Sequence, residues 1–114
     1  MRLKSELWVR ACIRQCAAAG LSAVVARRGD PDAGIVYVRV DLLDRRVRLF
    51  GPAMGSAFDD TGERRWVEIS PDGPLAEDEA RDYLDRRLAM DRDIWVVDIE
   101  SRDGGHPLTG VVAE

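Results

Sequence analysis

The sequence predicts an α+β domain: a mainly antiparallel sheet of about five strands with two helices, in the order α-β-β-β-β-α-β. Three observations carry that expectation. Two stretches repeat their apolar residues at helical spacing, one near the start and one late in the chain. Between them lie four short runs rich in Val, Ile and aromatic residues, separated by Gly, Pro and Asp. After the second helical stretch, Ile94-Trp95-Val96-Val97 and Ile99 are apolar on both faces of an extended strand, which marks a strand interior to its sheet.

The elements follow in order. Ser5 is placed to cap a helix that runs to about Ala19, with Glu6 in its first turn. Glu6, Arg10 and Arg14 form one narrow polar stripe, and Leu7, Trp8, Val9, Cys12, Ile13 and Cys16 fill the rest. So wide an apolar arc predicts burial in the core or against a partner chain. Gly20 is the expected stop. Residues 23–28 read as a strand, residues 29–34 as the turn of a hairpin, and residues 35–40 as its return strand. A turn at residues 41–45 leads to a strand at 47–50. The small, polar and acidic segment from Gly51 to about Glu63 is long for a connection, which points to mobility or function. Residues 65–69 form the fourth strand.

Residues 76–90 form a second helix with a stripe of Ala80, Tyr83, Leu84 and Leu88 and a charged remainder, including Glu77–Arg81 and Asp82–Arg86 pairs at helical spacing. This helix is expected on the surface, before the interior strand. Residues 1–102 then make one domain, and residues 103–114 a flexible tail.

Composition narrows the function classes. At 114 residues and 46% hydrophobic, the chain can bury a core without disulfides. The net charge of −4, with signs interleaved, argues against broad binding to nucleic acid or acidic membranes. No apolar run is long enough to span a membrane, and the charged start Met1-Arg2-Leu3-Lys4-Ser5-Glu6 is unlike a signal peptide. Those features, with only Cys12 and Cys16, predict a cytoplasmic chain.

Three segments, Arg2-Leu3-Lys4-Ser5-Glu6-x-Trp8, Arg27-Arg28-Gly29-Asp30-x-Asp32-Ala33-Gly34 and Asp91-x-Asp93-x-Trp95-Val96-Val97, resemble the hallmarks of a small alphaproteobacterial family, domain of unknown function fourteen-ninety-one. The likeness runs from Arg2 to about Arg102. It implies a cytoplasmic bacterial protein with one compact α/β-containing domain, and it brings no activity, cofactor or partner with it.

The candidate chemistry is sparse. Cys12 and Cys16 share a helix face, but the single histidine, His106, gives them no metal-binding company and gives no serine a base. Asp91 and Asp93 lie at the C-terminal end of the second helix, where the dipole opposes an anion. With Asp30, Asp32 or Glu6 they are candidate hard-metal ligands, and as turn formers they bond backbone amides. Arg27, Arg28, Asp30 and Asp32 are candidate anion-binding residues, and Trp66 is a candidate interface anchor, expected to be partly exposed. Arg39, Arg45, Arg46, Arg48 and Arg65, beside Tyr37 and Phe50, have the ingredients of a single-strand stacking platform on one sheet face.

No catalytic residue and no cofactor is assigned. The leading reading is a non-enzymatic module that binds a second copy of itself or another protein partner. The alternatives are a metal-dependent hydrolase or phosphate-ligand binder at Asp91, Asp93, Arg28 and Asp30, and RNA binding through the arginine-bearing face.

Overall fold

The last strand of the chain runs through the middle of the sheet. In the computed structural model, which describes residues 2–113, the elements are α1 (Ser5–Ala18), β1 (Ser22–Arg27), β2 (Val36–Asp41), β3 (Arg46–Pro52), β4 (Trp66–Glu68), β5 (Leu75–Ala76), α2 (Glu77–Met90) and β6 (Trp95–Glu100). The spatial order is β1-β6-β2-β3-β4, with the two-residue β5 also pairing with β3. The predicted α+β class and interior last strand hold. The sheet is mixed: β6 runs antiparallel to β1 and parallel to β2, and the other pairs are antiparallel.

That topology corrects the hairpin expected across residues 29–34. β1 and β2 do run in opposite directions, but β6 occupies the slot between them. A cluster of turn formers reports a local reversal of the chain, and the strand that enters between the two arms comes from 60 residues later in sequence, roughly, which local pattern does not reveal.

The helices cover opposite faces. Val9, Cys12 and Cys16 of α1 pack on Val36, Val38, Val40, Trp95, Val97 and Ile99. On the other side Leu84 of α2 packs on Tyr37, Leu49, Ile94 and Val96. The period of two in β2 and β6 therefore serves two cores at once. The broad apolar arc of α1 is only part buried, since Leu7 is exposed.

Local chemistry ends the helices. Gly20 takes φ 77, with Gly20 N–H donating to the Ala17 carbonyl and Leu21 N–H to the Cys16 carbonyl, the Schellman pattern. At the other end the expected Ser5 cap is replaced. Ser5 is the first helical residue, and its amide and that of Glu6 donate to the carbonyls of Asp32 at 3.2 Å and Pro31 at 3.0 Å. The loop after β1 thus caps α1 from outside its own sequence. In α2 the Ala76 amide donates to Glu79, and Glu77, Asp78 and Glu79 fill the positive end. The anticipated Glu77–Arg81 and Asp82–Arg86 pairs do not close to ion-pair distance.

The long segment after β3 is organised around Asp59, whose Oδ1 accepts from the amides of Thr61 and Glu63. Beyond β6 the chain, set apart by composition as a tail, returns across the α1 side. The Arg48 guanidinium donates to the Gly104 carbonyl at 2.8 Å, His106 lies on Phe50, and Leu108 joins the core.

Close approach fixes two glycines. A Cβ on Gly29 or Gly34 would collide with the Asp93 carbonyl and lie 2.7 or 2.9 Å from Trp95 Cδ1. Gly29→Ala and Gly34→Ala are each expected to destabilise the fold by about 2 kcal/mol or more. Gly73→Ala, where nothing lies within 4 Å, is expected to change stability little. Urea unfolding of the three variants checks the contrast.

Candidate functional site

The segments singled out in the sequence meet, and they meet through the backbone. Asp30 N–H donates to the Asp93 carbonyl at 3.0 Å, and the Trp95 indole Nε1–H donates to the Asp30 carbonyl at 2.7 Å. Arg27 donates to the Arg92 carbonyl at 2.9 Å. Arg28 lies 5.2 Å from the Trp95 ring centre and pairs with Glu6 at 3.0 Å. The carboxylates serve turns and surface pairs. Asp30 Oδ2 accepts from the Asp32 and Ala33 amides, Asp91 Oδ1 accepts from the Asp93 amide, and Asp32 pairs with Lys4 at 3.6 Å. The Asp93 side chain is exposed. Among the described residues no three His, Cys, Asp or Glu side chains are placed to hold a metal ion.

Two placements differ from expectation. Trp66 is 3% exposed, its ring centre 5.1 Å from that of Trp8 with the planes tilted by 42°, and the returning chain covers the β4 edge. The basic and aromatic residues do not share a face. Phe50 lies opposite Val38 on the α1 side, while Tyr37 is on the α2 side, and both are buried. Arg39 and Arg48 are paired with Asp98 and Glu68, and Arg46 with Asp44.

The two edges of the sheet are unlike. At β4 the chain from Gly110 to Val112 adds a further extended piece: Trp66 N–H donates to the Gly110 carbonyl at 2.9 Å and Val112 N–H to the Trp66 carbonyl at 2.8 Å. Among the described residues β1 is paired on one side only, to β6. Ser22-Ala23-Val24-Val25-Ala26 carries no charge and no proline, and Val24 is 57% and Val25 40% exposed. Edge strands are ordinarily guarded by charge, proline or a bulge. Here one bulge, between Val25 and Arg27, guards the last residues and leaves Ser22–Val25 regular. Consecutive valines read from sequence as core; their exposure depends on which strand takes the edge.

Beside this edge, on the α2 side, a groove of about 430 Å³ runs between α2 and the sheet. Val96 and Leu84 line it, with Arg27, Arg39, Arg81 and Asp98. Asp98 stands 3.5 Å from Arg39, and its Oδ1 is buried without a hydrogen-bond partner. Burial pushes its pKa above the ordinary aspartate value, against the pull of Arg39.

A mixed sheet with one helix on each face, one edge covered by its own chain and the other edge paired on one side only defines a small two-helix α+β domain. The family model described as "Protein of unknown function (DUF1491)" matches residues 3–109, and the chain belongs to that family. It is similar to a crystal structure of a DUF1491 family protein from Caulobacter crescentus CB15, at 39% identity over 99% of this chain and 100% of that one, TM-score 0.80. An NMR structure of a DUF1491 family protein from the same organism matches at 40% identity over 99% of both chains, TM-score 0.77. The solution structure of protein Atu0922 from A. tumefaciens matches at 41% identity over 89% of this chain and 87% of that one, TM-score 0.76. No curated protein matches. No helix among the described residues is long and apolar enough to cross a membrane.

The Asp98 environment sets a pH dependence. A carboxyl with a raised folded-state pKa binds its proton more tightly in the folded chain than in the unfolded one. Its contribution to stability is full below the unfolded value and is lost as pH rises through the folded value. Asp98→Asn removes the effect. Wild-type stability is therefore expected to fall relative to the variant as pH rises above the ordinary aspartate value, as measured by denaturant unfolding at a series of pH values.

Proposed function

We propose that the protein is a non-enzymatic, cytoplasmic interaction module that pairs with a second copy of itself along the outer edge of β1. The observation that carries this reading is the contrast between the sheet edges: the chain covers β4 with its own residues and leaves Ser22–Val25 open, uncharged and partly apolar. The two buried free thiols, Cys12 and Cys16, support a reducing compartment.

Geometry selects the register. Antiparallel pairing about a two-fold axis normal to the sheet sets each residue opposite one on the same face. Val24 then meets Val24 of the second copy, Ala23 meets Val25, and Ser22 meets Ala26. No like charges are brought opposite each other, since Arg27 falls against Leu21. Ala17 and Ala18, exposed at the end of the helix that packs over β1, extend the neutral border. Five paired residues on each strand and a short helix end make a small interface, so the association is weak, with Kd roughly micromolar or above.

Sedimentation over a wide concentration range tests the reading. The wild type is expected to approach twice the 12.7 kDa chain mass at high concentration. Val24→Lys, which changes a side chain already in solvent, is expected to stay monomeric with its fold intact by NMR. A wild type that remains monomeric throughout, or a lysine variant that associates as the wild type does, overturns the proposal.

A further inference from the structure

Phe58 stands in a polar segment, and two guanidiniums close on its ring, Arg2 at 4.1 Å and Arg64 at 5.1 Å from the ring centre. Arg64 also lies 5.6 Å from the Trp8 ring and donates to Ser5 Oγ at 3.2 Å. Ring contacts stabilise a cation without neutralising it. Among the described residues, neither Arg2 nor Arg64 has a carboxylate within ion-pair distance.

Arg64 is only partly exposed, and its Nε is buried without a hydrogen-bond partner. Burial, with Arg2 adding to it, pushes its pKa down from the ordinary arginine value. Arg48 shows the usual solution for a half-buried arginine on this sheet: two hydrogen bonds to Glu68, at 2.8 and 2.9 Å. Two like charges against one ring, one of them partly desolvated, form an arrangement that an outside anion would relieve.

A cavity of about 170 Å³ opens beside Arg64, between α1 and the returning chain. Its lining is mixed: Leu3, Trp8, Trp66 and Leu108 contribute apolar surface, Gln15 and Thr109 join Arg64 as polar groups, and Glu63 stands exposed on it. A volume of about 170 Å³ is large enough for a benzene-sized ring. The Glu63 charge favours a monoanion over a phosphate dianion.

We propose that this place binds a small organic carboxylate with a flat apolar body. The carboxylate meets Arg64, with Arg2 adding its charge from the other contact of Phe58, and the body enters the cavity beside the Trp8–Trp66 pair, against the indoles that line it. The site lies away from the open edge of β1 and stands independently of the association proposed there.

The test is a heteronuclear NMR titration of the whole chain with benzoate, benzamide and inorganic phosphate, read at the Trp8 and Trp66 indole N–H signals. Benzoate is expected to shift them saturably, benzamide to bind about tenfold or more weakly, and phosphate to leave them unmoved. Arg64→Gln is expected to weaken benzoate about tenfold or more, and Arg2→Gln by less. Should Arg64→Gln fail to fold, the benzoate–benzamide comparison and Arg2→Gln decide. No saturable benzoate shift overturns the proposal. So does benzamide binding as tightly as benzoate, a folded Arg64→Gln variant that binds as the wild type does, or phosphate moving the same signals with the same affinity.

Discussion

The hydrogen bond from the Trp95 indole to the Asp30 carbonyl, with the return bond from Asp30 N–H to the Asp93 carbonyl, ties the ends of the fold together. It fixes the loop after β1 over the start of the central strand. That loop can lie so close only because Gly29 and Gly34 have no side chains to hold it off. Once in place, its Pro31 and Asp32 carbonyls receive the first amides of α1, and its Gly34 carbonyl receives the Ser5 hydroxyl at 2.6 Å. A single buried junction thereby sets the position of α1, the start of β6 and the entry to β2. The carboxylates of the loop serve the same end, since Asp30 holds its own turn.

Much of this was legible in the sequence. The period of Ala80, Leu84 and Leu88 gave α2, Gly20 gave the end of α1, and the apolar residues on both faces of β6 gave its interior place. The two sheet faces needed more than period, because Tyr37 and Phe50 read alike as aromatic strand residues and lie on opposite sides. What stayed hidden was long-range. Turn formers at residues 29–34 signal a reversal but not an inserted strand. Trp66 follows a polar segment and looks exposed until the distant Gly110–Val112 backbone is laid beside it. The convergence of the Arg27–Asp32 loop on the Asp91–Asp93 turn likewise could not be read from either segment, because backbone bonds make it and any residue supplies those.

Charge is distributed with the same economy. Arg48 reaches both Glu68 and the Gly104 carbonyl, so one guanidinium joins β3, β4 and the returning chain. His106, set on Phe50 beside it, is pushed below its ordinary pKa by burial and by Arg48. The neutral ring is the form that suits this place. Around Phe58 the pattern is reversed, with cations gathered and, among the described residues, no carboxylate within ion-pair distance of them.

The central position of β6 also has a consequence for how the molecule comes into being. A chain leaving the ribosome presents β1 and β2 long before the strand that separates them. The two are antiparallel, joined by a short link, and apt to zip directly together. Such a premature closure would shut the slot and have to reopen before Trp95–Glu100 could enter. The tight loop over Asp93 offers a reason that the correct assembly prevails: its glycines shape it around a backbone that has yet to be made, so the arms are spaced for three strands rather than two. Completion of the native sheet therefore waits until residues 95–100 have been made, well after the two strands they separate.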